Sequence, residues 1–302
     1  MLAAMHSGVF TTREAGMVGV TRDTLTAAVR HGRLRRLARG LYAAGPAPDR
    51  PEARHLELVR ALLVEYPDAV LAGRSAVLAH GLPTWGVPLG LALLHRPVER
   101  QLRRSGAVIR PLDPVAGSVD APPGRTTPVA DSVVQVALDH GTVAGVVSCD
   151  AALHTGMTTQ EAIHRSLQER AGHRRIQRAW AMAGLMDPSS ESPGESRLRV
   201  VLVTGGIEVE SQPVIRDGRG EVIARGDLRV AGTRVLIEFD GAVKYTDGGP
   251  EALFAEKRRE DRIRALGWVV VRVTWADLMR PDRILAAVRR AVAVAAHLAP
   301  VA

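Results

Sequence analysis

The chain has 302 residues, 46% hydrophobic and 24% charged, with a net charge of +8 and an isoelectric point of about 10.7. That is the composition of an ordinary globular protein of two or three domains, and no run of eighteen apolar residues is present to cross a bilayer. The single cysteine, Cys149, excludes an internal disulfide and any metal site built on paired cysteines. The opening MLAAMHSGVF has no basic stretch followed by an apolar core, so neither a signal peptide nor a membrane partner is expected, and the simple expectation is a cytoplasmic protein.

The charge is unevenly placed. Residues 1–50 hold eight arginines against Glu14, Asp23 and Asp49, a net of +5, whereas residues 187–302 carry a net of only +1. A basic surface favours a polyanion, because each phosphate contacted releases counterions. Within this segment Thr11 or Thr12 can cap a short helix through Val18, and Gly19 gives a turn. Thr21 caps a second helix, Arg22 to His31, with Leu25, Ala28 and Val29 on its buried face. After Gly32, the stretch RLRRLARGLYAAG alternates Leu34, Leu37 and Leu41 with arginines around Gly40, the pattern of a β-hairpin. Helix, turn, helix and wing make a winged helix-turn-helix over residues 1–50. In that arrangement Arg22, Thr24, Thr26 and Arg30 face a DNA groove, and Arg33, Arg35, Arg36 and Arg39 hold phosphates. The plainer alternative is a small helical domain with a solvated basic face. The run GVFTTREA through GLY resembles the N-terminal winged helix of type IV, AbiEi-family antitoxin-like proteins, which implies DNA as a partner and a cognate toxin as a further one.

Residues 45–51, GPAPDRP, read as a linker to a mainly helical middle domain, 51–187. Its helices are expected near Glu52–Tyr66, Arg74–His80, Val129–Asp139, Val143–His154, Thr159–Glu169 and Arg175–Leu185. Short strands are expected near Leu91–His95 and Ala107–Pro111, with a Pro/Gly-rich loop from Asp113 to Thr127. The seven histidines between His55 and His173 show no metal-ligand spacing, and Ser75 and Ser148 lie in no nucleophile elbow. Asp187 to Gly194, DPSSESPG, reads as a second linker.

From residue 192 to 302 the pattern becomes α-β-β-β-α-β. A helix from Ser192 ends at Gly205-Gly206. Strands are expected at Glu208–Val214, Val222–Val230 and Arg234–Asp240. A long helix, Glu251–Leu266, precedes a strand at Trp268–Thr274 and a final helix from Pro281 to about His297. Asp227 falls within a strand, and Glu238 and Asp240, two apart, share one strand face. Pairing through the Ala231–Thr233 turn brings Asp227 toward Glu238. Converging carboxylates repel and are costly to bury, and a divalent cation resolves both problems. Such an ion, Mg²⁺ or Mn²⁺, could activate water for phosphodiester hydrolysis. Glu195 has two readings, a capping acid reaching back to Ser192 or an additional acid of the site. Asp240 either joins the site or shapes the turn before Gly241. Trp268 and Trp275 read as core.

Glu195-Ser196, Gln212-Pro213, the GDLR around Asp227, the IEFDG of 237–241, the EKRREDR of 256–262 and the LGWVVVRVTWADL of 266–278 occur in order. The set resembles the DUF559 and very-short-patch-repair endonuclease-like branch of the PD-(D/E)xK superfamily. The resemblance implies a Mg²⁺-dependent DNA endonuclease fold, with Asp227 and Glu238 as metal ligands and Glu195 as an auxiliary acid. One position departs from that pattern: Asp240 stands where many members carry lysine. Lys244, Lys257 or Arg258 could substitute, and a surface ion pair is the plainer role for Lys244.

The expected architecture is thus an α+β multidomain chain: a winged helix-turn-helix, a mainly helical middle region and a restriction-endonuclease-like α/β core at the C-terminus. Two functions follow. One is a metal-dependent DNA endonuclease delivered by its winged helix, in defence or DNA repair. The other is an antitoxin-like transcriptional regulator whose nuclease-like domain is inactive. The intact Asp227/Glu238 pair favours the first, and Asp240 together with the N-terminal resemblance favours the second.

Overall fold

The computed structural model describes residues 6–241 and 250–298, without the side chains of 250–257. It is a mixed α/β protein of two compact units, residues 1–184 and 185–302.

The N-terminal unit opens with strand β1 (Val9–Thr11) and helix α1 (Thr12–Met17). Thr11 is the cap: its hydroxyl accepts the Glu14 amide at 3.1 Å, and the Glu14 carboxylate accepts the Thr11 amide at 2.9 Å. Helix α2 (Arg22–Arg30) is capped by Thr21. Strands β2 (Leu34–Ala38) and β3 (Leu41–Ala44) form the wing, and β1 adds to β3, giving the antiparallel order β1-β3-β2. Phe10, Ala15, Leu25 and Tyr42 make a small core beneath the helices.

The middle region carries helices over much of its length and, beside them, a sheet larger than the two short strands expected. Helix α3 (Pro51–Glu65) leads to β4 (Val70–Leu71), α4 (Gly73–Ala79), β5 (Ala92–Arg96), β6 (Leu102–Arg104) and β7 (Ala107–Pro111). The stretch expected as loop contains a hairpin, β8 (Val119–Ala121) and β9 (Gly124–Thr126). Together these strands make a six-stranded mixed sheet, ordered β6-β7-β5-β4-β9-β8. Helices α5 (Val129–His140), α6 (Thr142–His154), α7 (Gln160–Glu169) and α8 (Ile176–Ala183) complete the unit. One continuous core joins wing and middle region: Val9, Ala38, Leu41 and Ala43 cluster with Leu58, Val59, Leu94 and Ile109.

The C-terminal unit begins before the expected helix. Asp187 accepts a hydrogen bond from Ser211 and pairs with Arg199 at 3.4 Å, so part of the expected second linker is tied into the fold. Helix α9 (Pro193–Thr204) precedes β10 (Val209–Ser211) and β11 (Val214–Arg216), then β12 (Val222–Arg225) and β13 (Leu228–Val230). Two expected long strands are therefore each broken in two. Both breaks fall at one level, where Gln212 has a positive φ of 53° and its amide donates to the Asp227 carbonyl at 2.8 Å. Opposite it, Gly226 packs so closely on Leu236 that a Cβ there would collide. Strand β14 (Val235–Asp240) pairs antiparallel with β13 and parallel with β15 (Val269–Thr274), reached through α10 (Pro250–Ala265). The sheet order is β10-β13-β14-β15, with β11-β12 as a separate ribbon. Val235, Ile237 and Phe239 face Leu198 of α9 and Ile284 and Val288 of α11 (Pro281–His297). Leu236 instead packs with Ile263 of α10, so helices cover both faces. Trp275 sets its ring edge to Phe239, and Trp268 joins the α10 side of the core.

Candidate functional site

Two sets of residues carry the expected chemistry, one in each unit. In the C-terminal unit α9 presents Glu195 one turn in from its cap. The Ser192 hydroxyl accepts the Glu195 amide at 3.2 Å and donates to Glu195 Oε1 at 2.8 Å. Glu195 Oε2 accepts the Glu191 amide at 3.0 Å and the Gln212 side-chain amide at 3.1 Å. The capping partner is therefore the Glu191 amide in place of the expected Ser192 amide. Burial pushes the Glu195 carboxyl above the usual range, against these hydrogen bonds, and the neighbouring Asp227 charge adds to the rise. Both readings of Glu195 thus have a physical counterpart: it caps the helix, and it lies within the field of Asp227.

Asp227 sits one residue beyond the last rung of the β13–β14 pairing, Leu228 with Ile237. Its Oδ2 accepts the Phe239 amide at 2.7 Å and so caps the sheet where the hairpin breaks. Glu238 points to the α10 face. Its Oε1 accepts Arg259 Nη2 at 2.8 Å, and Arg272 stands 3.9 Å from Oε2. Arg272 also bonds Glu260 at 2.7 Å, so Glu238 belongs to a lattice of arginines and glutamates between α10 and β15. Asp240 pairs in register with Thr274 at the end of β14. Lys244 lies outside the described residues, as does the side chain of Lys257.

These placements decide how well a divalent cation fits. The Asp227 charge raises the cost of ionising Glu195, a strain that a cation would relieve. Glu238, expected with Asp227 as a metal ligand, is neutralised by guanidinium groups. Among the described residues no three His, Cys, Asp or Glu side chains stand together as a metal-ligating group. The described donor set therefore falls short of the three-acid site. Arg259 and Gln212 are the site neighbours that sequence reasoning passed over. The broken ladder at Gln212-Pro213 and Gly226 would have been the signal for Gln212.

In the N-terminal unit Arg22, Thr24, Thr26 and Arg30 all stand exposed on α2. Thr24 shares a hydroxyl contact with the Thr21 cap at 2.9 Å, and the Thr26 hydroxyl donates to the Arg22 carbonyl at 2.9 Å. Arg33, Arg36 and Arg39 are exposed on and beside the wing. Arg35 is different: it forms a fork on Glu57 of α3, with Nη1 at 2.8 Å, and its Nε donates to the Gly45 carbonyl at 2.8 Å. That guanidinium fastens wing to helix and is not presented to a ligand.

Residues 1–45 match the family model described as the transcriptional regulator AbiEi antitoxin. The helix, turn, helix and hairpin at the head of this chain thus carry an antitoxin-like regulator signature. The chain is also 26% identical over 165 residues to two uncharacterized proteins of Mycobacterium tuberculosis, from strains CDC 1551 and H37Rv. The match covers 54% of this chain and 60% of each relative.

Proposed function

We propose that this protein is a DNA-binding transcriptional regulator of the antitoxin kind, reading duplex DNA through α2 and the wing. The observation that carries this reading is the coincidence of the antitoxin family match with an exposed polar helix and an arginine-bearing hairpin. On this reading Arg22, Thr24, Thr26 and Arg30 reach base edges and nearby backbone, and Arg33, Arg36 and Arg39 hold phosphates. The antitoxin description also supports a toxin as protein partner. Selection of bound fragments from a random duplex pool, followed by titration of the recovered site, tests the reading. Sequence-selective binding that weakens at least tenfold in an Arg30→Ala, Arg36→Ala double variant is expected. Wild-type protein that binds no duplex tightly in moderate salt would refute it.

The proximity of Glu195 to Asp227 supports a second reading, a metal-dependent DNA endonuclease. In it Asp227, Glu238 and Glu195 serve as metal ligands, with Asp240 and Lys244 as further catalytic residues. Supercoiled and linear DNA incubated with Mg²⁺ or Mn²⁺ separates the two. Cutting that is lost in both Asp227→Ala and Glu238→Ala favours the enzyme. Selective binding without cutting leaves the regulator.

A further inference from the structure

An open groove of about 700 Å³ crosses the N-terminal unit, and residues of α1, α2, the wing turn, α3 and the β6–β7 hairpin wall it. Arg13, Arg22, Arg39 and Arg104 line it, with Glu65 as its one acid. Among the described residues none of these four arginines forms an ion pair. Elsewhere in the unit Arg35, Arg96, Arg110 and Arg170 are each paired to a carboxylate. Four uncompensated guanidinium groups around one concavity repel each other, and the concave wall focuses their positive potential outward. Folding gains nothing from that convergence, whereas a polyanion does.

The groove walls are also fixed to one another. The Arg39 amide donates to the Ser105 hydroxyl at 2.8 Å, and the Thr12 amide to the Gly40 carbonyl at 2.9 Å. Gly106 approaches the wing so closely that a Cβ would lie 2.9 Å from that of Ala38. The turn of the β6–β7 hairpin is therefore seated against the wing, and Arg104 is held beside Arg39. An open trough of this size, with planar donors on both sides, suits a run of phosphates better than a single ion.

We propose that the phosphate backbone of bound duplex DNA runs through this groove, gripped by Arg13 and Arg104 together with Arg22 and Arg39. The middle region then contributes directly to the DNA interface, and the footprint extends past the wing. This inference rests on the DNA-binding reading above and adds two residues and one hairpin to it.

Fluorescence anisotropy of the full chain with its duplex, at a series of salt concentrations, tests it. Each phosphate contact contributes about 0.9 to the slope of log affinity against log salt. The Arg13→Ala, Arg104→Ala variant is expected to lower that slope by about 1.8 while keeping the ranking of DNA sequences. Both positions are exposed, so an unchanged melting temperature serves as the folding control. An Arg165→Ala, Arg178→Ala variant removes the same charge from exposed positions of α7 and α8 and is expected to leave the slope alone. An unchanged slope in the groove variant, beside weakened binding in the Arg30→Ala, Arg36→Ala variant, overturns the groove alone. An equal fall in the two distant-arginine and groove variants overturns it too, since net charge would then explain both. Wild-type protein that binds an acidic protein but no duplex removes the DNA reading along with it.

Discussion

The burial of Glu195 has a consequence for pH. Its carboxyl is held above the usual range, first by burial and then by Asp227, so the folded chain keeps that proton after the unfolded chain has released it. Stability from this group is complete below the unfolded pKa and is lost as pH rises through the higher folded value. Measured across the acid range, the urea midpoint of the wild type relative to that of Glu195→Gln is expected to fall with rising pH in that window. An identical pH profile in the two proteins would show that the group is not buried as described. A steric test applies at Gly226, next to Asp227 in the chain. Gly226→Ala would force a Cβ into Leu236, and overpacking of this kind costs about 1–3 kcal/mol, read as a lower urea midpoint.

Among the elements, the wing is the one whose chemistry divides most sharply by residue. Arg35 and Arg36 are neighbours in sequence and look alike on a charge map, yet Arg35 is forked onto Glu57 and Arg36 is exposed. Arg35→Ala is expected to destabilise the fold by about 1–3 kcal/mol, because it leaves the Glu57 carboxylate unpaired in a half-buried place, with little change in the salt dependence of DNA binding. Arg36→Ala should do the reverse. If Arg35→Ala lowers the salt slope and spares the melting temperature, the assignment is inverted. Sequence reasoning could not separate the pair, because Glu57 lies twenty-two residues away on another element.

The same limit explains the strands. Those with five or six apolar-rich residues, β5, β7, β14 and β15, were legible from alternation. Strands of two or three residues, β1, β4, β8 and β9, carry too little pattern to stand out, and their existence depends on a partner supplied by the sheet. The breaks at Gln212 and Gly226 left a signal in Pro213 and Gly226, residues that interrupt a strand, but period-2 patterning continues through a kink and masks it. Of the candidate site, a place for Glu195 beside Asp227 followed from the family resemblance and not from strand pairing, which pointed Asp227 toward Glu238. The capture of Glu238 by Arg259 was not foreseeable, because α10 had no predictable register against the sheet.

For the whole chain, the shared core sets what can fold alone. Val9, Ala38, Leu41 and Ala43 bury themselves against Leu58, Val59 and Ile109, so residues 1–50 lack the surface that completes their interior. A fragment of residues 1–50 is expected to show the dispersion of an unfolded chain in a ¹H–¹⁵N spectrum. Fragments 1–184 and 185–302 should each melt cooperatively. A folded 1–50 fragment would contradict the shared core.

On the proposed DNA-binding reading, that core also governs how the head meets a duplex. A reading head on a loose tether must give up its rotational freedom each time it docks. Here the wing is packed into α3 and the middle sheet, and its aim is set once, during folding. The entropy of aiming is removed before any encounter, which favours slow release from a matching site. The same rigidity leaves little room to adjust, so on the proposed reading a shift in the spacing between the bases facing α2 and the phosphates in the groove would be felt as an all-or-none mismatch.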